Sequence, residues 1–237
     1  MRLIRRLHSL ALLCALAALW AGAAAARTPA DAPTRTLRFE QLNVEQGLPQ
    51  ESVLAVVQDK QGFMWFGSQA GLSRYDGYRI TTFKSTPSDP ASLADNWVRV
   101  LYLDQDGQLW AGTDGGLDRY DAATQRFSHF KPREEAGRGN GDRHIQAISG
   151  DGGHGLWIAT TDGLQHFDPA SGVFKAWRHT AGDPASLGND HVNALARDAA
   201  GRLWVGTESG IDMLAPGAAG FEHYKVDAAP ASRFNAV

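Results

Sequence analysis

The chain has 237 residues, with 23 basic and 26 acidic side chains, a formal net charge of −3 and one cysteine. A balance that is slightly acidic argues against nucleic acid as a partner. A single cysteine excludes a disulfide framework and a thiolate metal centre.

Residues 1–26 have the composition of an export signal. Three arginines among the first six residues precede an apolar stretch over 7–20 and an Ala-Ala-Ala sequence at 24–26. This order is typical of a signal peptide that is cleaved on export, and an uncleaved membrane anchor is the alternative. Cys14 follows a bulky leucine, which argues against a lipid anchor. Residues 27–36, rich in Ala, Pro and Thr, are expected to form a flexible leader.

One pattern then recurs four times along the chain. Each copy places an Asp six residues before a Trp, a hydroxyl residue three after the Trp and a Gly six after it. The tryptophans follow one another at spacings of 45, 47 and 47 residues. A period in the mid-forties is the length of one four-stranded propeller blade. The repeated Asp and Trp residues are Asp59, Trp65, Asp104, Trp110, Asp151, Trp157, Asp198 and Trp204.

The second copy shows why one repeat should fold as four strands. Segments rich in β-branched and aromatic residues, 97–103 and 108–113, flank an Asp-Gln-Asp-Gly sequence, which is typical of two strands joined by a tight turn. Two further short segments, 117–120 and 126–131, are separated by a second turn. No segment after the leader has an apolar 3.6-residue period of helical length. The predicted fold class is therefore all-β, a β-propeller of four four-stranded blades.

The Asp and a Gly three residues before the Trp should close the first turn of each blade. The Gly supplies a positive φ, and the Asp carboxylate can accept hydrogen bonds from the turn backbone. In the third repeat His154 replaces this Gly, so we expect its turn to be one residue out of register. The Asp-Gln-Asp-Gly sequence also resembles the start of a calcium loop, but Gly115 stands where such a loop needs Glu. Turn capping is favoured, and no metal site is predicted.

Blades of a propeller stack face to face, and the four tryptophans are expected to fill the space between them. This packing role is favoured over a role in stacking against a ligand. The residue two positions after each Trp is small and should leave room for the neighbouring blade. These small residues are Gly67, Gly112, Ala159 and Gly206.

The repeat resembles that of the two-component regulator propeller family. Residues 98–121 carry the pattern most fully, as Val-x-x-Leu and then Asp-x-x-Gly-x-Leu-Trp-x-Gly-Thr-x-x-Gly-Leu-x-Arg-Tyr-Asp, and residues 53–76 carry it nearly so. The linker Asp-Pro-Ala-Ser-Leu, at 89–93 and again at 183–187, also resembles that family, as does the opening segment around residues 39–50. The fourth repeat departs from the pattern, since Met-Leu-Ala replaces Arg-Tyr-Asp.

The resemblance implies a periplasmic, ligand-sensing input module of a membrane-bound signal-transduction protein. In the family such propellers precede a membrane span and a cytoplasmic output, either a histidine kinase or a diguanylate cyclase. This sequence has no second apolar span, no phosphoacceptor-histidine helix and no Gly-Gly-Asp-Glu-Phe segment, so no catalysis is expected of it. A streptogramin-lyase-like enzyme and a scaffold for protein interaction are the alternatives.

The predicted sensor region spans residues 37–237. Residues 232–237 align with the start of an innermost strand of a fifth blade, and residues 37–42 resemble an outer strand. We therefore expect an incomplete ring whose fourth blade has one face uncovered, a fragment able to self-associate through that face. A closed ring of four blades is the rival interpretation. The predicted blades occupy about residues 50–93, 94–137, 141–187 and 188–226.

The loops at one edge of these blades form the candidate ligand site. The loop before each innermost strand and the turn between the second and third strands should open on one face, around the central channel. Mixed charge and an aromatic ring there suit a small polar ligand, with a saccharide as one candidate and no cofactor. Ordinary loop polarity is the alternative. The residues predicted to gather there are Trp97, Asp114, Arg143, His144, Asp162, Asp190, His191 and Glu208.

The enzyme alternative would need a histidine base beside a carboxylate. Asp190 and His191 are adjacent in sequence, so their side chains should point to opposite faces of a strand and form a poor dyad. The remaining histidines considered, His166, His179 and His223, are expected to share no register. No catalytic residue is predicted.

Overall fold

A computed structural model describes residues 41–132 and 144–224, and the chain from Leu42 onward forms one unit. The predicted signal peptide, the leader and the start of a fifth blade lie outside the described residues. Of the predicted outer strand at 37–42, only residues 41 and 42 are described, and they are not in a strand.

Sixteen strands in the described residues form four separate antiparallel sheets, and the strands of each sheet are adjacent in chain order. A one-turn 3-10 helix, Val44–Gln46, precedes them. The first sheet contains β1 (Ala55–Gln58), β2 (Met64–Ser68), β3 (Gly71–Tyr75) and β4 (Ile80–Phe83). The second contains β5 (Val98–Leu103), β6 (Leu109–Thr113), β7 (Gly116–Asp121) and β8 (Arg126–Phe130). The third contains β9 (Ile145–Gly150), β10 (Leu156–Thr160), β11 (Gly163–Asp168) and β12 (Val173–Trp177). The fourth contains β13 (Val192–Arg197), β14 (Leu203–Thr207), β15 (Gly210–Leu214) and β16 (Glu222–Tyr224). The prediction of an all-β fold with four four-stranded blades is confirmed.

An aspartate closes the first hairpin of each sheet. In the second sheet Asp104 Oδ1 accepts hydrogen bonds from the backbone N–H groups of Asp106 and Gln108, at 3.0 and 2.9 Å. Gly107 has a φ of 85°, so both parts of the predicted turn are confirmed. The second carboxylate oxygen accepts a hydrogen bond from Trp110 Nε1 at 2.9 Å, which the sequence analysis did not predict. The same carboxylate–indole bond is made by the pairs Asp59–Trp65 and Asp198–Trp204.

The third sheet departs from this arrangement. Asp151 Oδ2 lies 2.9 Å from His166 Nε2, and the ring of His166 packs edge-on against Trp157. The positive φ, 91°, falls on Gly152, two positions before His154. The predicted displacement of this turn by one residue is therefore wrong, because the Gly-rich sequence places the left-handed residue two positions earlier.

Apolar clusters fill the space between consecutive sheets, and the inner strands β1, β5, β9 and β13 contact one another in that order. Trp65 and Trp110 are 2% and 1% exposed within the first two clusters. Trp157 lies at the margin of the third cluster and is half-buried. Trp204 is also half-buried and contacts Tyr224 of its own sheet. Trp65 and Trp110 therefore fill the space between sheets as expected, whereas Trp157 and Trp204 are only partly buried there.

The small residue after each Trp allows this close stacking. A Cβ placed on Gly112 would lie 2.6 Å from Ile145 Cγ2 of the third sheet, and one on Gly67 would lie 2.9 Å from Val98 Cγ1 of the second. Carbon atoms at these separations overlap, so the predicted reason for a small residue is confirmed at both positions.

Two linkers are fastened to the following sheet by a buried aspartate and a histidine. Asp118, which is fully buried, accepts a hydrogen bond from Ala94 N–H at 2.9 Å and lies 2.5 Å from His129 Nδ1. His129 Nε2 donates to the Pro90 carbonyl at 2.9 Å, and burial raises the pKa of the Asp118 carboxyl. The fourth sheet repeats these contacts. Asp212 accepts a hydrogen bond from Gly188 N–H and contacts His223 Nδ1, and His223 Nε2 contacts the Pro184 carbonyl.

This repetition reflects a histidine register that was not predicted, since the expectation concerned only His166, His179 and His223. His129 and His223 both stand nineteen residues after their Trp and make the same two contacts. Both histidines serve the linkers, so neither is available as a free base.

Candidate ligand-binding site

The predicted site residues lie at one edge of the sheets, which we call the upper edge. It is formed by the loops that precede the inner strands and by the turns between second and third strands. Asp114 N–H donates to the Trp97 carbonyl at 3.2 Å, and Glu208 N–H donates to the His191 carbonyl at 3.1 Å. These backbone bonds fix loop and turn side by side within one sheet.

The first group of site residues surrounds Asp114. Arg99 donates through Nε and Nη2 to the two carboxylate oxygens, at 2.5 and 3.2 Å. His144 Nε2, at the start of the third sheet, lies 3.5 Å from Asp114 Oδ2. The Arg99 guanidinium lies 4.5 Å from the ring centre of Trp97. The structure thus brings together Trp97, Asp114 and His144, and Arg99 connects them.

A second group joins the third sheet to the fourth. Arg178 Nη2 donates to Asp162 Oδ2 at 2.9 Å, and its Nε donates to the Asp162 carbonyl at 3.1 Å. The carbonyl of Asp190 accepts from Gly163 N–H at 2.7 Å, and Asp190 Oδ1 accepts from His179 N–H at 2.6 Å. Asp162 and Asp190 therefore belong to one network of loop contacts.

His191 and Glu208 form the third group. His191 Nδ1 lies 3.1 Å from Glu208 Oε1, and both side chains are partly exposed. His191 is thus paired with Glu208 and not with its neighbour Asp190, whose carboxylate binds backbone. Arg143, the remaining predicted site residue, lies outside the described residues.

Two arginines of the site, Arg99 and Arg178, were not predicted from the sequence. Arg99 occupies a β-bulge, because Val98 pairs with Thr113 and Val100 with Gly112, which leaves Arg99 without a paired residue. Nothing in the repeat pattern indicated this bulge.

Arg178 did leave a signal in the sequence. A basic residue follows the last aromatic residue of the outer strand in all four repeats, and this dipeptide could have identified Arg178. The four dipeptides are Phe83-Lys84, Phe130-Lys131, Trp177-Arg178 and Tyr224-Lys225.

Within the described residues, the three groups of site residues contain more carboxylates than guanidinium groups. The carboxylates are those of Asp114, Asp162, Asp190 and Glu208, and the guanidinium groups of Arg99 and Arg178 are each paired with one of them. Such a surface disfavours an anion and suits a ligand that donates hydrogen bonds. The buried Nε1 of Trp97 has no hydrogen-bond acceptor within residues 41–132 and 144–224.

Over the described residues, no helix is both long and apolar enough to cross a membrane. In the same part of the chain, no three His, Cys, Asp or Glu side chains are grouped so as to hold a metal ion.

Three segments match the family model of the two-component regulator propeller, at residues 47–70, 92–115 and 186–209. Histidine kinase P4 of Formosa agariphila is 34% identical over 56 residues, which is 24% of this chain and 4% of the kinase. The match therefore concerns a small part of a much longer protein.

Solved structures extend the similarity to the fold. The extracellular domain of a hybrid two-component system from B. thetaiotaomicron has a TM-score of 0.68 and 29% identity, over 78% of this chain and 26% of that domain. A virginiamycin B lyase from Staphylococcus aureus, solved with quinupristin, has a TM-score of 0.57 and 16% identity, over 76% of this chain and 58% of the lyase. The chain spans about a quarter of that extracellular domain, and the similarity to the lyase is one of fold alone.

Proposed function

Since the chain carries two-component regulator propeller repeats, we propose that it is a ligand-sensing input module of a membrane-bound signal-transduction protein. The likeness to an extracellular domain of a two-component system supports this proposal, as does the match to a histidine kinase. The output joined to it would be a histidine kinase or a diguanylate cyclase, and the basic, apolar first 26 residues favour export to the periplasm.

The observation that carries the proposal is the grouping of polar side chains at the upper edge. Loop residues of three consecutive sheets contribute carboxylates, imidazoles and the ring of Trp97. Carboxylates accept hydrogen bonds from hydroxyl groups, and an acceptor oxygen of a ligand would satisfy the indole N–H. A neutral saccharide offers both kinds of group, and we propose it as the ligand class.

Thermal-shift measurements on the purified chain test this proposal, with maltotriose, cellotriose and xylotriose as probes. We expect at least one to raise the melting temperature, because a ligand at 100 times its Kd stabilises by about 2.7 kcal/mol. The effect should be lost in Trp97→Ala and Asp114→Asn. Tyr78→Ala is the matched control, since this tyrosine is 97% exposed in the turn between β3 and β4, at the opposite edge. No stabilisation by any neutral sugar, or equal stabilisation of all variants, would contradict the proposal.

We propose that this chain is not an enzyme. An observation in favour of catalysis is the His191–Glu208 pair at the upper edge, which provides a partly exposed imidazole beside a carboxylate in a fold shared with a lyase. Incubation with quinupristin decides between the two functions. We expect no turnover, whereas turnover that His191→Gln abolishes would establish the lyase function.

A further inference from the structure

A cavity lies at the lower edge of the first two sheets, which is the edge that carries the turns between the first and second strands. Its volume is about 370 Å³, within the range of small-molecule sites. Phe63 and Trp65 of the first sheet and Tyr120 of the second form its walls, and Arg74 extends between them. Because these strands are antiparallel, the cavity lies at the opposite end of the strands from the candidate ligand site.

Arg74 is incompletely bonded in this cavity. Its Nε is buried and has no acceptor in the described part of the chain, and its Nη1 lies 3.4 Å from the Tyr120 hydroxyl. The guanidinium carbon lies 5.0 Å from the ring centre of Phe63 and 5.8 Å from that of Trp65. A buried N–H donor without an acceptor is costly, so this donor is poised for a ligand.

Two other arginines show what this edge of a guanidinium binds. Arg99 and Arg178 both direct Nε and Nη2 at a carboxylate of the chain. The two carboxylates that line the cavity, of Asp59 and Asp106, bind groups other than Arg74. Asp59 accepts from Phe63 N–H and from the indole of Trp65, and Asp106 lies 2.9 Å from His154 Nδ1.

We propose that this cavity binds a small organic carboxylate, with Nε and Nη2 of Arg74 on its two oxygens. The planar guanidinium matches a carboxylate in this bidentate geometry. The Tyr120 hydroxyl lies close enough to Arg74 to donate a hydrogen bond to the same group, and the apolar part of the ligand packs against the partly exposed ring of Phe63. Lys60, whose Nζ donates to the Gln105 carbonyl at 2.7 Å, adds positive charge at the rim.

The walls favour a carboxylate over a phosphate. A phosphate dianion asks for several cations or a nest of backbone N–H groups. This cavity presents one buried guanidinium edge between aromatic rings. A monoanion with an apolar body matches both features.

Isothermal titration calorimetry with benzoate tests the proposal, with neutral benzamide and inorganic phosphate as comparison probes. The variants are Arg74→Met and, as a matched control, Arg119→Met. Arg119 occupies the same register in the second repeat, and Met213 occupies it in the fourth, so methionine is compatible with the sheet. Arg74→Lys is added because it keeps the charge and removes the planar edge.

We expect benzoate to bind the wild-type chain and the Arg119→Met variant with affinities within about twofold of each other. Loss of a charge-assisted hydrogen-bonded pair should weaken binding about tenfold or more in Arg74→Met and Arg74→Lys. Tyr120→Phe should weaken it by a smaller factor. Benzoate binding that is absent in wild type, or unchanged in both Arg74 variants, overturns the proposal. Benzamide or phosphate binding as tight as benzoate binding overturns it as well.

Discussion

The aspartate of each repeat does more than cap a turn. In three of the four sheets one carboxylate oxygen holds the turn backbone and the other holds the indole N–H of the tryptophan six residues later. A buried indole needs an acceptor, and the turn supplies it from within the same hairpin. In these three sheets the bond accounts for the spacing of six residues, and in the third sheet His166 takes the place of the indole as the partner of Asp151.

The Asp198 carboxylate should therefore make the stability of the chain depend on acid. Its hydrogen bonds with Trp204 and Arg202 lower its pKa from 3.8 to about 2. A carboxyl whose pKa is lowered by folding stabilises the protein at pH values above its unfolded-state pKa. That contribution is lost as the pH falls from 3.8 towards about 2. Denaturant titrations over this range, followed by tryptophan fluorescence, should show a steeper loss in wild type than in Asp198→Asn. Parallel pH profiles would contradict the assignment.

The repeat tryptophans differ in burial, so replacing them by alanine should lower the free energy of unfolding by different amounts. Trp110 is 1% exposed between the second and third sheets, so Trp110→Ala should lower the free energy of unfolding by about 3–5 kcal/mol. Trp204→Ala should cost less than half as much, because the indole is half-buried and contacts one ring of its own sheet. Denaturant unfolding of both variants measures the difference. Equal costs, or an unaltered melting temperature in Trp110→Ala, would refute the core assignment.

At the scale of elements, two linkers are held to the sheet that follows them by the same aspartate–backbone hydrogen bond. Asp118 binds Ala94 N–H in one copy, and Asp212 binds Gly188 N–H in the other. Asp118→Ala leaves the Ala94 N–H and the His129 imidazole, which are both part-buried, without their partner, at a cost of about 1–3 kcal/mol in the free energy of unfolding.

Hydrogen exchange gives this prediction a local control. The Ala94 amide should exchange faster in Asp118→Ala, while the Gly188 amide keeps its wild-type rate. Asp106→Ala, which removes an exposed carboxylate, should change stability by less than about 0.5 kcal/mol. Equal acceleration of both amides would indicate general destabilisation and would disprove a local fastening role.

The sequence predicts those elements that are determined by residues close together in the chain. Strand positions follow from the segments rich in β-branched and aromatic residues, and the turn chemistry of Asp104 and Gly107 follows from their spacing. The ion pair of Arg99 could not be predicted, because a bulge redirects this side chain towards Asp114. The pairing of His191 with Glu208 depends on which loop lies beside which turn, a contact between distant positions of the chain.

At the scale of the whole molecule, each sheet covers the face of the one before it. The burial of the aliphatic residue seven positions after each Trp shows where a sheet is covered by the next one. Leu72, Leu117 and Leu164 are at most 1% exposed, each beneath the following sheet. Ile211 occupies the same position in the fourth sheet and is half-buried. The fourth sheet thus presents Trp204, Ile211 and Tyr224 on a face that the described residues leave partly open.

This face should mediate self-association of the purified chain. An open apolar face beside a strand edge favours pairing with an identical surface on a second copy. Light scattering at micromolar concentration should show a mass above that of the monomer, and Ile211→Glu should restore the monomer by placing a charge in the contact. Val173→Glu is the matched control, since Val173 is an exposed aliphatic residue on the outer strand of the third sheet and its replacement should leave the mass unchanged. A wild-type chain that is monomeric at this concentration, with a cooperative melt, would show that the face is covered from within the same chain.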